Sequence, residues 1–478
     1  MNYFRSVSGA AVILLMFITT LQAAPQPAPQ PAHNRKKPVL TFGAGMRFRY
    51  EFQNNFNQKF YGDEPGQGKA NDGFLLGRFR AGLDWYPTDT IHIALWGQYS
   101  DAWDMEMPDS AYYKSAFLTD HNPNKDRWEF YTTYLELTNL FDLPLALKAG
   151  RQIIAYGNFR VFGPGEWGNT GRWIWDAVKL SWRFERGFVD LFYGQTMLHE
   201  ARGLSIKHRH GFAGLGAYAH VDLVRTPFLL AFEPMLFTKY DRHNNYYGEK
   251  KGFYRLSDGT RVTYKKRGDI DSWYAGARVY VQDMYGFDLD FTFLQEQGDF
   301  ARDDLRAYGY HAMVAYTIKA KWEPRISFEY SYASGDSNPD DGDHETFQGA
   351  FGARDKMYGR MNLFHWRNLR DLEAGLTLKP VRGLSMKLSF HKFLLAERRD
   401  AWYLNQNAYR DTTGRSGDDI GREFDAVVKY RLRPDHTLMA GYGHFWPDEF
   451  AEKNATGKQA NWFFLQWEYT FSMSMVSR

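Results

Sequence analysis

Arg47 and Arg49 stand two residues apart, as do Arg78 and Arg80, and later Lys429 and Arg431. In an extended chain successive side chains point to opposite faces, so each pair projects from one face of a strand. Guanidiniums in file present forked donors that match carboxylates, and they stay charged at any physiological pH. The chemistry served by this spacing is recognition and steering of anions. Covalent catalysis would need other groups, and no Ser/His/Asp triad, phosphate-binding glycine loop or paired zinc ligands stands out. The chain is therefore expected to be neither an enzyme nor a cofactor protein. The tract KHRH at 207–210 reads as a solvated basic loop rather than a metal site. The acidic stretch SGDSNPDDGDHE at 334–345 lacks the spacing of a cation-binding loop and reads as a surface loop.

The elements that position these cations are strands. Phe424, Ala426, Val428, Tyr430 and Leu432 alternate with Glu423, Asp425, Lys429 and Arg431. After Pro434 and Asp435 a second alternating run places Leu438, Ala440, Tyr442 and Trp446 on one face. About eighteen such segments recur, each roughly 10–14 residues long, where a tilted strand needs ~9–11 to cross a bilayer. Short connections at 87–89, 139–142, 185–187, 222–227, 283–286, 323–324, 380–383 and 433–435 separate them in alternation with long polar ones. The long ones are 53–72, 101–127, 155–172, 199–210, 241–271, 298–306, 335–369, 394–421 and 447–460. This rhythm predicts an all-β, antiparallel, up-and-down transmembrane barrel with short periplasmic turns and long extracellular loops.

The cost of misplacing a charge fixes the phase. An arginine turned to lipid at mid-membrane costs ~2–4 kcal/mol, so Arg47, Arg49, Arg78 and Arg80 are expected to face inward. Phe48, Tyr50, Phe52, Phe79, Leu83 and Trp85 then face lipid. Carried through the chain, this phase adds Lys179, Arg183, Lys319, Lys321, Lys387, Lys429 and Arg431 to the lumen, with Glu423 and Asp425 among its acids. Most of these charges are expected to pair with one another, and Arg78 and Arg80 to be the freest. Eighteen strands ~4.8 Å apart, tilted ~40°, enclose a backbone cylinder roughly 36 Å across.

Composition agrees. The 478 residues are 44% hydrophobic and carry no cysteine. The mean hydropathy of −0.55 is too low for a helical membrane protein. Aromatic residues make up 18%, enough to supply girdles at both interfaces. A net charge of +3 argues against a nucleic-acid partner. Arg5 followed by the apolar run 10–22 and small residues reads as a signal peptide over 1–23. A Pro-rich spacer (24–38), the barrel (39–471) and a C-terminal tail (472–478) follow. The aromatic row Phe463, Leu465, Trp467, Tyr469 and Phe471 is of the kind that barrel-assembly machinery reads.

GRQIIAYGNFRVFGPGEWGNTGRWIWDAVKL (150–180) resembles a segment of the alginate-export outer-membrane porin family. So do ASGDSNPDDGDHETFQ (333–348), HKF (391–393), GREFDAVVKYRL (421–432) and LMAGYGHFWP (438–447), and the likeness extends from Val39 to Phe471. The resemblance implies an eighteen-stranded monomeric barrel whose Arg- and Lys-lined lumen passes a polyuronate outward. It points to Arg151, Arg160, Arg172 and Asp176 in the first segment, and to Glu423, Asp425 and Lys429 in the later one. Arg151 shares the parity of Leu147 and Ala149, so it needs either a bulge or a place at the rim to serve the lumen. The expected setting is the bacterial outer membrane, with lipid and lipopolysaccharide around the barrel and a periplasmic export partner beneath. The expected solute is an anionic polysaccharide or sugar acid. An uptake porin for small organic acids or sugars remains open at this stage, as does an outer-membrane hydrolase or adhesin.

Overall fold

The computed structural model describes residues 38–114, 119–165, 167–171, 173–201, 210–255, 261–338, 341–354, 357–404 and 407–476. The expected signal peptide and all of the spacer but Pro38 lie outside the described residues, as does Arg172. Eighteen antiparallel strands close into one cylinder, and a two-residue segment, Asp343–His344, bridges in parallel to Asp303–Thr317. Closure joins Val39–Asn54 to Ala460–Val476, in register from Val39 opposite Val476 to Asn54 opposite Asn461. No strand edge is left bare in hydrocarbon, where an unpaired backbone group has no water to bind. Residues 472–476, read from sequence as a tail, continue this last strand and pair with the first.

The phase follows the cost argument. Arg47, Arg49, Glu51 and Gln53 are buried, whereas Phe48, Tyr50 and Phe52 are 39%, 43% and 40% exposed. In a soluble protein that pattern would be inverted. It is stable only where lipid wets the outer face and polar groups meet inside. The turns at one end are short, and both strand termini lie there, Val39 opposite Tyr86 and Val476. Exposed Phe141, Tyr285 and Trp322 ring that end.

Two expected loops are sheet instead. Leu229–Arg255 and Arg261–Met284 run through 241–255 and 261–271 as a ribbon, still paired at Arg255 opposite Arg261. A two-stranded ribbon is only marginally stable in water by itself, and here Tyr246 anchors it by packing on Phe300 at 5.4 Å. The stretch 298–306 shrinks to a turn at Ala301 and Arg302 between Phe287–Phe300 and Asp303–Thr317. The latter strand ends at Thr317, so Lys319 and Lys321 sit exposed in the periplasmic turn and not on the inner wall.

Candidate functional site

Two long connections fold into the cylinder and narrow it. The first, 154–173, follows the inner wall and then crosses. Tyr156 stacks on Tyr218 at 4.0 Å and donates to Asp190 at 2.8 Å. Asn158 reaches Asp290 at 3.3 Å. The chain then returns through Phe162, packed on Phe192 and Phe237, and crosses to the opposite wall, where Trp167 packs on Trp462 and Phe464. The second connection, 334–368, is pinned from below. The Met361 amide donates to Glu423 at 3.0 Å, and the Arg360 amide donates to Asp425 at 3.0 Å. The two loops grip each other: Phe351 N donates to Val161 O at 3.0 Å, and Gly163 N donates to Phe351 O at 3.1 Å.

Against the crossing strap lies the arginine cluster expected from the sequence. Arg47 faces Arg78 across the first hairpin, and Arg80 faces Gly45. Arg49 donates to Glu51 at 2.7 Å and to Trp167 O at 2.8 Å, with its guanidinium 3.7 Å above the Trp167 ring. Arg47 reaches Asn169 Oδ1 at 3.1 Å. Arg78 lies 3.9 Å from Glu468. Arg80 donates to Gln98 at 2.7 Å and lies 3.6 Å above the Tyr131 ring. Glu51 pairs with Arg49 and Glu468 with Arg78. Among the described residues Arg80 has no carboxylate within salt-bridge reach, and its Nη2 is buried without a hydrogen-bond partner. The Tyr131 face does the work of a counter-ion, since an aromatic ring attracts a cation by roughly 0.5–2 kcal/mol without neutralising it.

Behind Arg80 runs a relay that sequence reading missed. Gln98 donates to Asp126 at 3.1 Å and to Thr170 O at 2.8 Å. Asp126 faces His199 Nδ1 at 2.8 Å, and His199 Nε2 faces Gly171 O at 2.9 Å. Burial by itself lowers the imidazole pKa, but Asp126, the Gly171 carbonyl and Glu129 raise it above the ordinary value. Both ring nitrogens face acceptors, the geometry of a doubly protonated ring. Asn169 was missed too: it donates to the carbonyls of Gly77, Asp101 and Asn124 at 2.8–3.0 Å and holds the strap on the wall. Its place inside the matched segment 150–180 was the one available signal.

The remaining expected residues separate by role. Arg160 is buried in the first loop, 3.7 Å from Glu329 and 3.3 Å from Ser331 Oγ. Arg151 does not line the channel. Its guanidinium is buried in a bidentate pair with Asp176 at 2.7 and 3.0 Å and donates to Glu129 at 2.9 Å. Asp176 stands opposite it on the neighbouring strand, so the two spend their charge on each other near the extracellular rim. Lys179 pairs with Asp190 at 2.9 Å, and Lys387 pairs with Glu373 at 2.8 Å. Glu423 and Asp425 are buried anchors for the second loop, not open lining. Arg183, Lys429 and Arg431 are exposed near the periplasmic end. Most lumenal charges pair, as the alternating signs lead one to expect.

A family model described as alginate export matches residues 39–465. Among curated proteins, none matches the chain. Among solved structures, the outer membrane protein OprD of Pseudomonas aeruginosa is 11% identical, with a TM-score of 0.53 over 91% of this chain and 94% of that one. OpdK of the same organism, solved with vanillate, is 10% identical, with a TM-score of 0.53 over 91% and 99%. OccAB2 of Acinetobacter baumannii is 11% identical, with a TM-score of 0.55 over 90% and 98%. At such identities the likeness is one of fold.

Proposed function

Because the chain belongs to the alginate export family and forms an outer-membrane porin barrel, we propose that it passively conducts an anionic carbohydrate, an alginate-like exopolysaccharide. The observation that carries this reading is the cluster Arg47, Arg49, Arg78 and Arg80, placed where the strap 163–171 narrows the lumen. A solute crosses only if it is held strongly enough to enter and weakly enough to leave. The Arg80 guanidinium over Tyr131 meets that condition for carboxylates, because the ring holds the fork in place without cancelling its charge. No bond is made or broken: the protein supplies shape and field, and the gradient supplies direction. The paired loops favour a second reading, uptake of small organic acids or sugars, because a narrow passage suits a small solute. Vanillate in the OpdK structure is an acid of that size. Liposome swelling with uronate oligomers, single uronates and neutral sugars separates the two. Permeation by oligomers supports export of a polymer. Permeation by single acids alone sinks it.

A further inference from the structure

The periplasmic end of the lumen carries cations of its own. On Asp419–Arg433, Lys429 and Arg431 share the inward face with Glu423, Asp425 and Val427, and Arg433 ends the strand at the turn. All three are exposed, and no carboxylate among the described residues lies within 4.0 Å of them. Their neighbours do not shield them: Lys429 lies between Ser385 and Met439, and Arg431 lies beside Thr437. One step deeper, Lys387 stands opposite Val427. That lysine is paired with Glu373. A strand rises about 3.4 Å per residue, so the three uncompensated rungs from Arg433 to Lys429 span about 14 Å.

The extracellular end differs. There Lys69 pairs with Glu106, Lys125 with Asp109, Lys453 with Glu449, Arg410 with Asp400 and Arg422 with Asp448. Arg302 and Arg399, exposed with no carboxylate within 4.0 Å among the described residues, lie in turns and not on the inner wall. A paired cation attracts a distant anion weakly, whereas an uncompensated one in a low-dielectric mouth raises the rate of encounter. In a passive pore such a patch cannot set the direction of net flow, but it sets how fast a dilute polyanion is captured from its side.

We propose that Lys429, Arg431 and Arg433 form a landing site for a carboxylate polymer arriving from the periplasm, on the way to the arginine cluster. This rests on the polymer reading above. The test exposes single channels of known orientation to a defined oligouronate on one side at a time and counts blocking events. The parent protein captures the oligomer from the periplasmic side about tenfold faster or more, and this advantage shrinks as salt rises. Lys429→Glu with Arg431→Glu and Arg433→Glu brings the ratio of the two rates to about one, within the range such steering commands. Heat-dependent gel mobility reports folding. Should that variant not fold, Gln at the three positions decides, with a partial fall expected. Equal rates from both sides in the parent, or an unchanged ratio in the folded variants, overturn the landing site and leave the polymer reading standing. No block from either side while single uronates permeate overturns both.

Discussion

Arg47 and Arg78 stand directly opposite each other across the first hairpin, both buried and both turned to the lumen. Like charges so placed on a sheet oppose pairing, and burial raises the cost of each charge. Glu468, opposite Arg47 on its other side, gives partial relief at 3.9 Å from Arg78. A barrel that needed only to fold could satisfy this wall with neutral side chains. Local rules are broken in this way where a site requires it.

Arg78→Ala combined with Arg80→Ala should therefore lower the preference for anions. Reversal potentials in a salt gradient should show the anion-to-cation permeability ratio falling on the order of tenfold, about 1.4 kcal/mol. An unchanged ratio would show that the cluster does not govern selectivity.

Asn169→Ala should loosen the strap. The lost amide leaves the carbonyls of Gly77, Asp101 and Asn124 without this donor and Arg47 without this acceptor. Each buried group left unsatisfied costs about 1–3 kcal/mol. Larger and noisier single-channel conductance is expected, together with a lower unfolding temperature. A quieter or unaltered channel would mean that the strap is held elsewhere.

These residues differ in how far the sequence exposes them. Arg47, Arg49, Arg78 and Arg80 were legible because a mid-strand arginine has only one affordable side in a membrane. The parity of Arg151 with Leu147 and Ala149 could be read, and the register keeps it without a bulge, but its buried pairing with Asp176 and Glu129 could not. The inward face of Glu423 and Asp425 could be read, but their partners are backbone amides more than 60 positions away in sequence, and no side-chain pattern announces those. The ribbon across 241–255 and 261–271 was hidden because its polar composition is also that of a loop. The closed cylinder was the most legible feature, since eighteen amphipathic segments with no other way to bury their backbone admit few alternatives.

The His199 relay predicts a pH dependence. Its pKa is raised in the folded protein, burial being outweighed by Asp126 and the Gly171 carbonyl. A raised value means that the folded state holds the proton more tightly than the unfolded one. The stabilisation is therefore complete below the ordinary histidine value of about 6.5 and fades as pH rises through the folded value. Unfolding midpoints measured across that range should fall with alkalinity in the parent protein, and less in His199→Gln. Equal slopes would remove His199 from the account.

The outer wall makes a separate prediction. Leu191 is 49% exposed on the lipid face, opposite Leu180 and Ala217. Leu191→Arg should cost ~2–4 kcal/mol and reduce the folded fraction in vesicles. If refolding yield and midpoint match the parent, that face does not meet hydrocarbon.

Asp425→Ala should release the second loop, since the Arg360 amide loses its acceptor and the adjacent Met361 anchor on Glu423 bears the load alone. Conductance should rise, as is expected for Asn169→Ala, although the two residues hold different loops on different walls. The bridge between Phe351 and residues 161–163 ties those loops together, so freeing either one strains the hold on the other. The two substitutions should then couple. In a double-mutant cycle on unfolding free energy, the combined loss should depart from the sum of the single losses by about 0.5–3 kcal/mol. It should be smaller than the sum, because a loop already released by one change has less left to lose. Strict additivity would mean that the loops move independently and that the narrowing is set by each wall alone.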